Sequence, residues 1–292
     1  MSAKTAVTMK SPLLGAHMSI AGGVNLALER GDSIGCTAIQ IFLKNNNRWV
    51  GKEIPEDEAK AFREAWSASE IQSVFAHACY LLNLASNQDA LYEKSIAALV
   101  DEVERADLLK IPFIVLHPGS TGEETQEWGI ARIVEAVNQV CKETSGSKVA
   151  ICFEGTAGQG RSIGHTFEHL AALLDGVKKK TRACICLDTC HLFAAGYDLR
   201  EKKAYLDTMK RLDEIVGLER LAAIHLNDSK KGLGSRVDRH EHIGKGMLGP
   251  EPFRNILRDR RLLHVPKVLE TPKGPDLRED VENLKTLRNL LV

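Results

Sequence analysis

Short apolar runs that each end in a side chain able to bind a metal recur along this chain at nearly even intervals. Ser73-Val-Phe-Ala-His77, Phe113-Ile-Val-Leu-His117, Val149-Ala-Ile-Cys-Phe-Glu154, Leu221-Ala-Ala-Ile-His225 and Val265-Pro-Lys-Val-Leu-Glu270 share this form. Ala183 to Leu187 stops in the same way at Asp188, with His191 on the turn that leaves it. Runs of this length read as buried strands. Successive ends lie about 35 to 45 residues apart, which is one strand, one helix and their loops. Strands repeated through helical crossovers are parallel, so their ends decorate one mouth. The expectation is a single (β/α)8 TIM barrel, of the α/β class, with a metal site at the C-terminal ends of the strands.

Size and composition fit that reading. A chain of 292 residues buries roughly three quarters of its extended surface, and eight β/α units need about 250 residues. Residues 1–12 read as a loose N-terminal extension and 13–292 as one barrel domain. The seven cysteines are an odd number, and Cys152, Cys184 and Cys186 fall within strand-like runs. There a reduced thiol acts as a small hydrophobe, which favours a reducing compartment. Cys184-x-Cys186 lacks the second pair that a zinc finger needs. The N-terminus has no apolar signal region and no window approaches a membrane span, so the expectation is a soluble cytoplasmic protein with no membrane partner, acting as a monomer. Basic and acidic residues balance at 39 each, so any polyanion is attracted locally rather than by a global field.

In chain order, the first strand is Leu13 to His17, a helix runs from Ser19 to about Ser33, and Thr37 to Leu43 is the second strand. Its exit loop, Lys44-Asn-Asn-Asn-Arg-Trp49, is polar, basic and aromatic together. It reads either as a solvated turn or as a loop that inserts into a ligand. A helix from Pro55 to Ser69 precedes the strand that delivers His77. Ala78-Cys-Tyr-Leu-Leu-Asn-Leu84 is too apolar for an ordinary loop, and is either a buried plug or an exposed wedge built on Tyr80 and Leu81. Further helices are expected at Asn87 to Leu108, Glu124 to Cys141, Glu201 to Val216, Pro252 to Arg260 and Asp276 to Leu290. The loop Gly155 to Gly164 departs from G-x-G-x-x-G and has no P-loop lysine, which favours a flexible active-site loop over a phosphate cradle. His165-Thr-Phe-Glu-His169 fits H-x-x-E-H, yet it falls on the first turn of an outer helix, where coincidence is the better reading.

One face thus collects His77, His117, Glu154, Asp188, His191, His225, Asp238, His240 and Glu270. Asp238-x-His240 places two donors on one side of an extended segment. So many ligands exceed what one four-coordinate ion uses, so two or three ions are implied. Imidazole and carboxylate without thiolate suit zinc, with manganese or iron as substitutes. Clustered divalent ions point to phosphoryl chemistry. Three of them bring six positive charges against the carboxylates of Glu154, Asp188, Asp238 and Glu270, so the pocket is cationic in a neutral chain.

Three stretches carry a family resemblance: His77-Ala-Cys-Tyr-Leu-Leu-Asn-Leu-Ala85, Cys186-Leu-Asp-Thr-Cys-His191, and His225-Leu-Asn-Asp-Ser-Lys230 running on to Gly234-Ser-Arg-Val-Asp-Arg-His240. From about Leu14 to the last helix the chain resembles the endonuclease IV type of apurinic/apyrimidinic endonuclease. The resemblance implies three Zn2+ per chain. His77 and His117 hold one ion, and Glu154 bridges it to a second that Asp188, His225 and Glu270 complete. His191, Asp238 and His240 hold the third. It further implies a DNA-repair activity on double-stranded DNA with abasic sites or blocked 3′ ends, in which the backbone is cut 5′ to the lesion to leave a 3′-hydroxyl and a 5′-deoxyribose phosphate. Glu154 and Glu270 are the candidate catalytic carboxylates, and Glu270, at the final strand mouth and bound through one oxygen, has its other oxygen to serve as base. Tyr80 and Leu81 match residues that wedge into the gap.

The chain departs from the family in two places. Gly155 stands where Glu-Asn-Thr-Ala-Gly is usual, which removes one amide beside the metal site. Asn47 stands where one member has an intercalating arginine, with Arg48 one residue on, so these two are the candidate DNA contacts of that loop. Two other functions compete: a metal-dependent sugar isomerase on a related barrel, which has no use for Asp238-x-His240, and a damaged-DNA binding protein that no longer cleaves.

Overall fold

A computed structural model describes residues 12–291. The predicted extension therefore lies, but for Pro12, outside the described residues. The chain begins with β1 (Leu14–Met18), α1 (Leu26–Ser33), β2 (Ala38–Phe42), α2 (Glu56–Ala68), β3 (Ser73–His77) and α3 (Asp89–Leu109). It continues through β4 (Phe113–Leu116), α4 (Gln126–Glu143), β5 (Ala150–Glu154), α5 (Phe167–Gly176), β6 (Ala183–Asp188), α6 (Thr189–Ala195) and α7 (Lys202–Ile215). Then come β7 (Leu221–His225), the short β8 (Asp228–Ser229) and β9 (His240–Glu241), α8 (Glu251–Arg258), β10 (Lys267–Leu269) and α9 (Arg278–Asn289).

Eight parallel strands close in the order β1-β10-β7-β6-β5-β4-β3-β2, and β8 pairs antiparallel with β9 outside the barrel. Strand alternation sorts the side chains. Ala38, Phe75, Val115, Cys152, Cys186, Ala223 and Val268 face inward and pack together as the barrel interior. The opposite faces pack against the helices in the larger core. All seven cysteines are free, and Cys152 and Cys186 serve as small apolar fillers, as the sequence implied.

The first helix begins at Leu26 rather than Ser19. Gly22 and Gly23 have φ of 91° and 145°, which no helix accommodates. The Arg30 guanidinium also donates to the carbonyls of Ser19 (2.6 Å) and Ala21 (2.7 Å), so those oxygens are satisfied without a helical turn. The turn carrying His191 is itself a helix, α6, because Asp188 Oδ1 accepts the His191 N–H at 2.9 Å and caps it. His165-Thr-Phe-Glu-His169 is likewise a helix start. Thr166 caps α5, Glu168 pairs with Arg211 at 2.8 Å, and His169 accepts the Gly164 N–H, so the match to H-x-x-E-H is coincidental.

Candidate metal centre

The barrel places the ligands by a counting rule. Two residues beyond each interior residue, the next inward position lies at the C-terminal mouth. Phe75 leads to His77, Val115 to His117, Cys152 to Glu154, Cys186 to Asp188, Ala223 to His225 and Val268 to Glu270. The remaining three come from outside the barrel wall. His191 is carried by α6, and Asp238 and His240 lie on the segment that returns to pair with β8. That segment is held in place by Lys230 N–H to Arg239 O (2.9 Å) and Asp238 N–H to Gln159 Oε1 (3.2 Å). The buried Asp228 carboxylate steadies the loop beyond it, accepting backbone N–H groups from Gly246 and Leu248.

All nine predicted ligands come together, in three groups whose donor atoms lie within 4.8 Å of one another, and a fourth such group, Asp188, Cys190 and His240, links the last two and adds a thiol that the sequence reading left out. His77 Nε2 and His117 Nε2 sit 3.2 and 3.1 Å from Glu154 Oε2. His225 Nδ1 faces Glu154 Oε1 and Glu270 Oε2, each at 3.1 Å, and Asp188 Oδ2 at 3.9 Å. His191 Nε2 and His240 Nε2 approach the two oxygens of Asp238 at 3.2 and 3.3 Å. Glu154 joins the first group to the second, and Asp188 Oδ2, 3.5 Å from His240 Nε2, joins the second to the third.

Ring protons are directed away from these meeting points. The far nitrogen of His77 donates to the Ala78 carbonyl (2.7 Å), that of His191 to Gly155 (3.0 Å), and that of His240 to Glu270 (3.1 Å). His225 Nε2 donates to Gln40 Oε1 at 2.8 Å. Each near nitrogen then presents a lone pair to a carboxylate oxygen, an arrangement that is favourable only with a cation between them. His191 Nε2 and His240 Nε2 are buried and have no hydrogen-bond partner. A divalent cation bound through nitrogen and oxygen fits this donor set.

The groups perturb one another in the same sense. Burial alone would raise the carboxyl pKa of Glu154, but His117 and His225 hold it well below the carboxylate range. Burial likewise opposes ionisation of Glu270, and His225 outweighs it. Burial also opposes ionisation of Asp238, and the neighbouring His191 ring outweighs it, so that its pKa falls to about 2. For His191, burial favours the neutral ring while Asp188 and Asp238 raise the pKa well above its usual value. The cluster is built to hold positive charge.

Around this floor lies a cleft of about 530 Å³ lined by Tyr80, Asn83, His117, Gln159, Asp238 and Arg239. Tyr80 is 59% exposed, and its ring stands edge-on to Phe42, so it is not a plug. Leu81 beside it is half-buried. Asn47 and Arg48 are exposed on a turn closed by Asn45, whose side-chain oxygen accepts the Asn47 N–H and whose carbonyl accepts that of Arg48. The glycine loop after β5 is pinned rather than loose: Thr156 bonds Gly164 O and Ile163 O, and Ile163 N–H reaches Gly119 O. At Gly155 an added Cβ meets its nearest neighbour at 3.7 Å, so neither backbone nor space demands glycine, and nothing in the structure explains that residue.

Sequence reasoning missed four residues that hold the ligands. Asn227 donates to Asp188 Oδ2 (2.6 Å) and accepts the Glu270 N–H (2.9 Å), and Thr189 anchors Asn227 at 2.6 Å. Gln40 and His17 are the others. The same counting rule finds them: two beyond Ala38 is Gln40, and two beyond Gly15, its register partner, is His17.

A family model described as xylose isomerase-like TIM barrel matches residues 28–287. A probable endonuclease 4 of Geobacter sulfurreducens is 50% identical over 278 residues, covering 95% of this chain and 94% of that protein. The crystal structure of endonuclease IV from Thermus thermophilus superposes with a TM-score of 0.85 at 40% identity, covering 96% of this chain and 99% of that one. The chain belongs to the endonuclease IV family. By descent it is therefore an endonuclease. A D-tagatose 3-epimerase-like protein also superposes, with a TM-score of 0.72, 17% identity and coverage of 95% of this chain and 97% of that one. That likeness is one of fold alone. No helix among the described residues is long and apolar enough to cross a membrane.

Proposed function

We propose that this protein is a zinc-dependent apurinic/apyrimidinic endonuclease of DNA base-excision repair. It hydrolyses the phosphodiester 5′ to an abasic site, leaving a 3′-hydroxyl and a 5′-deoxyribose phosphate, and trims blocked 3′ ends. The observation that carries the reading is the convergence of three nitrogen and oxygen ligand sets, two of them sharing Glu154, on one barrel mouth. His77, His117 and Glu154 would hold one ion. Glu154, Asp188, His225 and Glu270 would hold the second, and His191, Asp238 and His240 the third, with Mn2+ or Fe2+ as substitutes. Such ions supply Lewis acidity toward a phosphate and a nucleophile at neutral pH.

The chain's own residues do the rest. Glu154 fixes the spacing of two ligand sets with its two oxygens. Glu270 directs Oε2 to the centre, and its Oε1, which accepts one bond from Gln40 and keeps a second lone pair, takes up the proton of the attacking water. Tyr80, exposed at the rim, and Leu81 enter the base stack beside the lesion, while Asn47 and Arg48 contact the DNA from the loop after β2. The barrel domain spans residues 13–292, works as a monomer and acts in the cytoplasm.

Purified protein incubated with a duplex containing one abasic analogue, with aldoses in parallel, tests the reading. The expected result is a single nick 5′ to the lesion, sensitive to chelation, with no change to the sugars. Aldose turnover with intact DNA would establish the isomerase instead, and tight binding without a nick would establish a binding protein.

A further inference from the structure

The inward positions at the barrel mouth include two that are not metal ligands, Gln40 on β2 and His17 on β1. Gln40 is fully buried, and its amide uses both ends. Oε1 accepts the Nε2–H of His225 at 2.8 Å, and Nε2 donates to Glu270 Oε1 at 2.6 Å. The same Nε2 lies 2.9 Å from His17 Nδ1. A carboxamide has one donor end and one acceptor end, so these partners fix its orientation. With the acceptor end on His225, the ring proton stays on Nε2 and the Nδ1 lone pair faces Glu154 and Glu270. With the donor end on Glu270, Oε1 is occupied and Oε2 is left for the centre.

We propose that Gln40, backed by His17, is a positioning residue for the middle metal set: one amide fixes the tautomer of His225 and selects which oxygen of Glu270 faces the ion. This rests on the metal-centre reading above. A histidine ligand whose other nitrogen is fixed keeps its lone pair aimed, and losing such an outer partner weakens metal binding by about 10- to 100-fold. Removal of Gln40 therefore weakens the ion shared by Glu154, Asp188, His225 and Glu270. The His191, Asp238 and His240 set, whose ring protons go to backbone carbonyls, is untouched.

Gln40→Met and Gln40→Glu divide the two duties. Methionine fills the space and offers neither bond. Glutamate accepts from His225 but has no donor for Glu270. Zinc per chain is measured at free zinc set by a chelator buffer, alongside the exchange-protected His225 Nε2–H resonance and the melting temperature of the metal-free protein. The expected outcome for Gln40→Met is two ions at a free zinc level where the wild type keeps three, with the His225 resonance lost to exchange. Gln40→Glu keeps the resonance and still loses the ion. A role in folding alone would instead lower the metal-free melting temperature without selecting one ion. Three ions with wild-type affinity in both variants would overturn the proposal. A wild type that never binds more than one ion would overturn the metal-centre reading itself, a result distinguishable before any variant is made.

Discussion

The two ends of the barrel both bury charge, and they do so in opposite ways. At the N-terminal ends of the strands, Lys267 is fully buried and its ammonium donates to the carbonyls of Leu262 (2.6 Å) and Val265 (2.7 Å). Arg182, 1% exposed, donates to Val149 O, Thr144 O and the Thr144 hydroxyl at 2.7 to 3.0 Å. Cations there meet the carbonyl dipoles of the protein itself. At the C-terminal ends, imidazole lone pairs meet carboxylate oxygens, and His191 Nε2 and His240 Nε2 have no partner. One end meets its charges with groups of the chain itself, save for the buried Arg182 Nη2, which has no partner, and the other is completed by cations from outside. Buried polar groups left facing their own kind mark function rather than stability.

The sharpest way to break this contrast is to remove Glu154, whose oxygens serve two ligand sets. Glu154→Gln removes the one negative charge the two sets share and is expected to lower cleavage by at least about 10⁴-fold. Elemental analysis should fall from close to three divalent ions per chain to one or two. Chelation should likewise lower the wild-type melting temperature, since ions that bind only the folded state stabilise it by mass action. If Glu154→Gln keeps both full metal content and full activity, the two ends do not differ in the way described.

Glu270→Gln tests the same end more gently. Its Oε1 accepts from Gln40. An amide at 270 must therefore turn either its NH2 toward that donor or its NH2 toward the ion, and one contact is lost in both cases. Cleavage should fall by roughly 10² to 10⁴ with abasic-duplex binding nearly unchanged, and zinc at the middle site should be held less firmly. Near wild-type cleavage with all ions in place would leave Glu270 as a ligand only.

These residues also show what the sequence makes legible. Ligands at strand ends announce themselves because a histidine or carboxylate closing an apolar run is chemically out of place, as at His77 and Glu154. Gln40 did not stand out, because one amide inside Ala-Ile-Gln-Ile-Phe looks like an ordinary strand residue. Only the register, which pairs His17 with Gln40 and so carries the inward alternation from Gly15 and Ala38, reveals it. The cap at Asp188 is not legible either: the sequence marks that residue as a ligand, and the structure uses Oδ1 to cap α6 while aiming Oδ2 at the centre. Helix α1 starts later than the sequence suggests because the backbone at Gly22 is left-handed, a conformation that glycine permits but does not announce.

A smaller effect belongs to the rim of the open end. Tyr80→Ala with Leu81→Ala should weaken binding to abasic duplex by about 1 to 3 kcal/mol per lost stacking contact, with metal content unchanged. Fluorescence titration against matched intact and abasic duplexes reads this directly. Equal affinity of the double variant for abasic DNA would confine the recognition to the metal floor.

The closed end supplies the smallest effect and the control. Burial lowers the Lys267 pKa from 10.5 to about 8. Below pH 8 both the folded and the unfolded chain carry this proton. Between about 8 and 10.5 the folded chain has released it and the unfolded chain has not, so stability from this group rises with pH across that window. Thiols such as Cys36 and Cys186, pushed up to about 12 by burial, act in the opposite sense once the unfolded thiols ionise. A raw profile therefore mixes the two, and the difference between wild type and Lys267→Met isolates the amine. From pH 7.5 to 10.5 the wild type should gain about 1 to 3 kcal/mol on the variant in chelator-treated protein, measured by urea unfolding. A flat difference would mean that the Leu262 and Val265 carbonyls compensate the buried ammonium completely. The closed end would then be even further from the open one, where imidazoles and carboxylates face one another across the ligand sets.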